Sequence, residues 1–382
     1  MKTKFFLTLC IFTLYQFVLS YLLRPFLGSQ QLDSASLAHL LSYYKMYFDI
    51  ICIVALIYFA IPLFKEKKRG IAIVAICLSL FFFIFLNFIF VASNIFHQPK
   101  NLLFADVNKN KVDKNELIVG IEFHGKSKAY PVPFIDYHHQ IIDSLDGQKY
   151  IATYCGLCRT GRFFLPYINS KYTTFRLVGI NHNNAMLEDA LTKSWWSQES
   201  GTCIAGKLKG TVLEEMTVHN MTLQKWIELY PNTEIMQPDP AYAHRYPYHD
   251  YYVENIENPN TPSSGGTWSA HSFVIGISKG GVSKAIEWNN LLKNKIIKDN
   301  IARIPYILAL ANDNKSFVAF ENNLEANIEL RNDTLFFNNV PHNFAGINLL
   351  TGKKELLSIK AYREFWFSWK NAHPNTIQYQ PK

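Results

Sequence analysis

A chain of 382 residues can hold more than one structural unit, and its 29 Phe and 21 Tyr are gathered most densely in long apolar runs before about residue 96. The net charge of +8 invites a polyanion partner, but most of the excess falls in the first hundred residues, where Lys2, Lys4, Arg24, Lys45, Lys65, Lys67, Lys68, Arg69 and Lys100 face only Asp33, Asp49 and Glu66. Basic residues flanking apolar runs set membrane orientation, so the charge implies an integral membrane partner and no nucleic acid.

Residues 5–23, 47–64 and 71–92 are each long and apolar enough, or nearly so, to cross ~30 Å of hydrocarbon as helices. The third contains AIVAICLSLFFFIFLNFIFVA, without a charge. The first span has the alternative of being a signal peptide, although no small-residue cleavage site follows it and Arg24-Pro25 is a poor one. Lys65, Lys67, Lys68 and Arg69 place the connection between spans two and three in the cytoplasm, and Lys2 and Lys4 place the N-terminus there too. The expectation is a cell (inner) membrane protein whose C-terminal domain is periplasmic, or more generally extracytoplasmic. In the 24–46 connection, Asp33 or Ser34 can cap a short helix. Asp49 reads as a solvated span end, and Cys10, Cys52 and Cys77 as small buried hydrophobes.

Beyond the membrane region, 1–96, the chain echoes itself. Gly120, Ile121, Gly125, Ser127-Lys128-Ala129 and Asp143 recur at a spacing of 156 as Gly276, Ile277, Gly281, Ser283-Lys284-Ala285 and Asp299. Trp226 and Tyr230-Pro231-Asn232-Thr233 recur at a spacing of 143 as Trp369 and His373-Pro374-Asn375-Thr376. Two related halves are expected, 97–240 and 265–382, with a linker over 241–264. Each half reads as strand, Gly turn, strand, short helix (133–138 or 287–295) and two further strands (149–155 or 304–311). A further strand is expected at 174–180, and short helices carrying Trp226 and Trp369 close the halves. The expected fold class is α+β, a β-rich duplicated domain with pseudo-twofold halves preceded by an all-α membrane region of three transmembrane helices.

The copies are unequal. Cys155 and Cys158 map to Ala311 and Asn314, and His139 maps to Lys295, so any chemistry belongs to the first half. The pair stands in ATYCGLCRTGRFF, between two β-like runs, and Arg159-Thr160-Gly161 is a turn and not a helix start. That argues against a thioredoxin-like site, and Arg159 in place of His excludes c-type haem attachment. Three readings stay open. One is a structural disulfide in an oxidising compartment. The second is a metal knuckle, in which Cys155 and Cys158 are joined by His139 and Cys203, with His138 and His182 as further candidates; thiolate and imidazole together suit zinc or copper. The third is a reactive dithiol whose thiolate Arg159 or Arg162 stabilises. Trp196 and Gln198 are candidates for lining a binding pocket, although a tryptophan in such a run is more often core. Asp189 and Thr192 fit a turn or cap. The cluster from His244 to Tyr252 lacks regular ligand spacing and reads as packing. Nothing supplies a phosphate loop or a hydrolase nucleophile motif.

His139-Gln140-Ile141-Ile142 followed by Thr153-Tyr154-Cys155-Gly156-Leu157-Cys158-Arg159-Thr160 resembles a bacterial family catalogued only as domain of unknown function three-one-seven-nine, whose members carry H-E-I-V-N-D and then T-Y-C-P-L-C-G-T. Asp189 to Gln198, with Thr192, Ser194, Trp196 and Ser197, is similar to its D-x-x-T-x-S-L-W-S-Q segment. Gly201, Ala205-Gly206 and the Trp226 to Thr233 stretch continue the likeness. Here Gly156 stands for the family's Pro, Arg159 for its Gly, and Gln140 for the acid after the His, while Cys203 is not expected from the family. The resemblance implies no established activity. The functional expectation is a membrane-anchored extracytoplasmic protein with a Cys155/Cys158 site, with Arg159 beside it, for metal binding or thiol redox exchange. The alternative is a non-catalytic envelope or binding module stapled by a disulfide; the small-molecule or protein partner is left open.

Overall fold

The computed structural model describes residues 2–64, 69–247, 268–322 and 327–381. Lys65, Lys67, Lys68 and the expected linker from residue 248 onward lie outside the described residues.

Helix α1 (Lys2–Leu23) has 22 residues, which at 1.5 Å per residue reach about 33 Å. Helix α2 (Ala35–Leu63) is continuous over 29 residues. The helix expected in the 24–46 connection is its first third, because no Gly or Pro interrupts the chain between Ala35 and Ile61. Helix α3 (Arg69–Ile84) runs on into a π-helical turn, Phe85–Ile89, before the short α4 (Ala92–Ile95). Lys2–Leu23, Ala35–Leu63 and Gly70–Ile89 are three candidate membrane spans by length and composition.

The rest is β-rich. In chain order it contains β1 (Leu103–Ala105), β2 (Leu117–Phe123), β3 (Lys126–Pro131), α5 (Val132–His138), β4 (Gln140–Leu145), β5 (Gln148–Cys155) and β6 (Thr160–Phe164). There follow β7 (Tyr167–Ile168), β8 (Lys171–Tyr172), β9 (Phe175–Asn181), β10 (Asn184–Asp189), β11 (Trp195–Ser197) and β12 (Cys203–Ala205), then β13 (Val218–Thr222), α6 (Leu223–Leu229) and β14 (Glu234–Gln237). After residue 268 come β15 (Phe273–Lys279), β16 (Val282–Glu287), α7 (Trp288–Asn294), β17 (Ile296–Ile301), β18 (Ile304–Leu310) and β19 (Phe317–Glu321). The meander β20 (Ile328–Arg331), β21 (Thr334–Phe337), β22 (Val340–His342) and the closing β23 (Ala361–Phe365), α8 (Trp366–Ala372), β24 (Ile377–Gln378) complete the chain.

Sheet orders are β1-β14-β3-β2-β13, β4-β5-β6, β12-β11-β10-β9, β23-β15-β16-β24, β17-β18-β19 and β20-β21-β22. Several local contacts occur twice, between residues that recur at spacings of 156 or 143. Trp226 lies over Gly120, where an added Cβ would come within 2.6 Å of the indole, and Trp369 lies over Gly276 in the same way. Each indole N–H donates to a threonine seven residues on, Thr233 or Thr376, at 2.8 Å. Lys128 pairs with Asp143 at 2.9 Å and Lys284 with Asp299 at 2.6 Å. β14 joins β3, and β24 joins β16, in parallel.

By packing, the chain forms two compact units: Met1–His97 with Tyr167–Val212, and Gln98–Pro166 with Leu213–Lys382. In the first, the β9–β12 sheet packs on the helices through a core of Leu22, Ala38, Met186, Trp195 and Ala205. Gly179 is required there, because a Cβ would lie 2.5 Å from the Leu23 carbonyl oxygen. In the second, Val119, Ile121, Tyr130, Tyr150 and Phe163 fill one core, while Ile118, Ala129, Met221 and Trp226 share another with Ile307, Ala309 and Phe320.

A buried dithiol turn

Strands β5 and β6, buried along almost their whole length, form an antiparallel hairpin whose last register pair is Cys155 with Thr160, and four residues turn between them. The Cys155 carbonyl accepts from the Cys158 N–H at 3.2 Å and the Arg159 N–H at 2.7 Å. This tight turn sends both cysteine side chains inward; Cys155 is 3% exposed and Cys158 fully buried. Their sulfurs are 3.0 Å apart, hydrogen-bonding distance for two thiols and about 1 Å beyond a disulfide bond. Arg159 adopts a left-handed backbone, φ 62°, a conformation that Gly would take without strain.

His139 is the left-handed residue (φ 59°) that ends α5: its N–H donates to the Ile135 carbonyl at 2.8 Å. Its own carbonyl accepts from Tyr154, the residue before Cys155, at 3.1 Å. Thus Cys155, Cys158, Arg159 and His139 belong to one hairpin and its neighbour. Two features of this neighbourhood lay beyond the sequence reading, the first a residue it did not name and the second the partners of one it did. The buried carboxyl of Asp136, on α5, lies against Gly156, such that a Cβ there would meet its Oδ2 at 2.7 Å. The second is Arg162, buried on β6. It donates to Glu364 at 2.8 Å, reaches Glu215 at 3.5 Å, and stacks 3.3 Å over the Tyr362 ring. Burial pushes the Glu364 carboxyl up while Arg162 opposes it. Removing one member would leave an uncompensated buried charge. The Phe365 N–H, at the end of β23, donates to the Cys158 carbonyl at 3.0 Å, so the far end of the chain clasps the turn. The His373 ring stacks 3.8 Å from Trp369, and burial, with the charge of Arg162, pushes its pKa down to about 4.

Trp196, Gln198 and Cys203 lie in the other compact unit. Trp196 and Cys203 are cross-strand partners on β11 and β12. The Cys203 thiol donates to the Ala205 carbonyl at 3.4 Å, and burial pushes its pKa up. The Trp196 indole donates to Asp189 at 3.0 Å, and the same carboxylate accepts from the Thr192 N–H and hydroxyl and the Ser194 N–H. The D-x-x-T-x-S-x-W spacing therefore builds a turn around one buried carboxylate. Gln198 closes β11, its N–H donating to the Ala185 carbonyl at 2.9 Å. His182 caps a neighbouring turn and bonds to the Gln30 carbonyl at 2.9 Å. His138 bonds to the Tyr246 hydroxyl at 2.9 Å, within a cluster of Tyr137, Tyr242 and Tyr246; residues 248–252 of that aromatic stretch lie outside the described residues. Among the described residues, no three His, Cys, Asp or Glu side chains form a group that could hold a metal ion.

Three apolar N-terminal helices and a β-rich region with a buried Cys-x-x-Cys hairpin define a membrane-anchored protein of mixed architecture. A profile of the family described as a protein of unknown function (DUF3179) matches residues 99–376, and the chain belongs to that family. No curated protein and no solved structure matches it.

Proposed function

We propose that the protein is a membrane-anchored thiol–disulfide exchange protein whose working couple is Cys155 and Cys158. The observation that carries the proposal is the 3.0 Å separation of the two sulfurs in one tight turn. Closing an S–S bond from that position needs about 1 Å of movement and no change of strand register. In the oxidising direction the two thiols lose two protons and two electrons, the S–S bond forms, and a disulfide on another molecule is reduced to two thiols. The nearby Asp136 carboxyl and His139 are the candidate proton carriers, and Arg159 the cation that favours a thiolate. Both sulfurs are buried, so exchange requires local opening at the turn, whose apex residue Leu157 is 37% exposed.

The basic connection between the second and third helices supports an orientation with this region outside the cytoplasm, in the cell membrane and facing the periplasm. There a disulfide couple can cycle. The repeated 156- and 143-spaced contacts support reading 97–240 and 265–382 as copies about a pseudo-twofold axis, only the first of which retains thiols.

The test is a redox titration of the full chain in detergent, with alkylation and mass measurement at each potential. A single reversible two-electron transition, abolished by Cys155→Ser, supports exchange. A disulfide that resists reductant until the protein unfolds would establish the staple. Zinc or copper retained in proportion to intact thiols would establish the metal reading, which needs donors beyond this pair.

A further inference from the structure

A membrane helix seldom carries polar side chains without a use for them, because each is costly in hydrocarbon. Here the three helices contribute one each to a connected group. Gln16 of α1, only 3% exposed, donates to Asp49 of α2 at 2.7 Å, and Asn87 of the π-helical turn donates to Gln16 at 3.0 Å. Lys45 pairs with Asp49 one helical turn away. Arg24, just past α1, donates to the Leu86 carbonyl at 3.0 Å and to the Ser20 hydroxyl. The π-helical turn is where the regular helical bonding pattern is broken, which is common at functional sites.

These groups line a cleft of about 560 Å³, whose wall is completed by Arg176 of β9. Three cations, Arg24, Lys45 and Arg176, border it; Lys45 pairs with Asp49 in the same wall, and Arg176 pairs at 2.8 Å with Glu188 of β10, which among the described residues leaves Arg24 without a carboxylate in the lining. The cleft shares Ile53 and Phe83 with a second cavity of about 450 Å³ that runs between the helices and is walled by Phe5, Leu9, Leu56, Ala60 and other apolar groups. A compartment bordered by basic side chains that shares a wall with an apolar one has the polarity profile of an anionic amphiphile.

We infer that this paired cleft binds one anionic phospholipid, its phosphate held by Arg24, Lys45 and Arg176 and an acyl chain lying against Ile53, Phe83 and Ala60. Charge complementarity selects the headgroup, and the shared wall sets the direction of the chain. The inference does not depend on the chemistry of the cysteines.

The full chain is reconstituted in phosphatidylcholine discs with and without phosphatidylglycerol, transferred to detergent, and examined by native mass spectrometry for retained lipid. One phosphatidylglycerol per chain is expected. Arg24→Gln and Arg176→Gln should each lower its occupancy about five-fold, the scale of one basic residue at a headgroup, and Ala60→Trp should displace it by filling the crevice. Arg176 is 68% exposed at its side chain, so its replacement tests the site even if the Arg24 variant fails to fold. Equal retention of phosphatidylcholine, no retained lipid, or occupancy unchanged in Arg176→Gln would each overturn the inference.

Discussion

Two hairpins at corresponding places in the chain turn in different ways. Between β5 and β6 the four residues Gly156 to Arg159 separate Cys155 from Thr160; between β18 and β19, Asn312 to Lys315 separate Ala311 from Ser316, whose carbonyl accepts from Ala311 at 2.8 Å. The second turn is organised by one carboxylate. Asp313 accepts from the Lys315 N–H at 2.9 Å, the Ser316 N–H at 2.8 Å and the Thr222 hydroxyl at 2.9 Å. Burial pushes its pKa up, but those hydrogen bonds outweigh it and hold it low. Ordinary hydrogen bonding thus suffices to close such a hairpin, and the thiols of the first are surplus to that task. In the second turn Lys295 also donates to Asn314, and these are the residues that stand where the first has His139 and Cys158.

The largest effect should come from breaking the carboxylate. Asp313→Ala removes several charge-assisted bonds and leaves buried donors of Thr222 and Ser316 unmatched, which costs about 3 kcal/mol. Cys158→Ala in the reduced protein loses little more than one buried group, about 1 kcal/mol. Denaturant unfolding of the reduced full chain measures both. Equal losses would mean that the thiols hold their turn as Asp313 holds the other, and the contrast would collapse.

Next is Gly156. A Cβ there meets the buried Asp136 carboxyl, whereas the residue 156 positions on, Asn312, already carries a Cβ. Gly156→Ala should cost about 1–3 kcal/mol by overpacking and change the redox midpoint by displacing Asp136. Asn312→Ala should leave both unchanged. If the redox midpoint does not move in Gly156→Ala, Asp136 has no part in proton handling.

The sequence made part of this arrangement readable. Unbroken apolar runs announced three helices, because length and hydropathy are local properties. The strand–turn–strand order and the tryptophan helices were also local, and their recurrence at spacings of 156 and 143 exposed the parallel between Gly120 with Trp226 and Gly276 with Trp369. What escaped depended on tertiary approach. Asp136 sits twenty residues before the turn it covers, and Arg162 meets Glu364 at a sequence separation of 202. The association of β9–β12 with the N-terminal helices likewise rests on contacts such as Gly179 against Leu23, which no period encodes. One signal was available: a glycine at 156, inside the turn, is where a neighbour such as Asp136 can approach the backbone.

The closing helices offer a pH contrast. Trp226 packs on Tyr230 at 4.3 Å, and Trp369 on His373 at 3.8 Å. With the His373 pKa near 4 in the folded protein and ~6.5 when unfolded, the unfolded state binds more protons between those values. Stability is full above about pH 6.5 and falls as pH drops toward 4. Because the ring is only partly buried, the loss should be about 1–2 kcal/mol. His373→Tyr, which copies the stacking of Tyr230 on Trp226, should flatten the difference in thermal unfolding between pH 7 and pH 4.5. An unchanged acid slope would place the proton uptake elsewhere, with His219, whose pKa burial also pushes down to about 4, as the next group to replace.

The smallest effect separates backbone from charge. Arg159 and Asn314 each supply a left-handed residue to their turns, at φ 62° and 57°. Asn tolerates that conformation and Arg does so at a cost of about 1 kcal/mol, so Gly should help more at 159 than at 314. Arg159→Gly is therefore expected to raise stability by up to about 1 kcal/mol on backbone grounds, less whatever the guanidinium contributes through its contacts. Under the proposed role of Arg159, the same change should also slow alkylation of the thiols at neutral pH. Arg159→Lys keeps the charge and the strain, so it should alkylate like the wild type without the stability gain. If Arg159→Gly alkylates at the wild-type rate, the arginine serves the turn alone, and the asymmetry between the hairpins reduces to the two sulfurs.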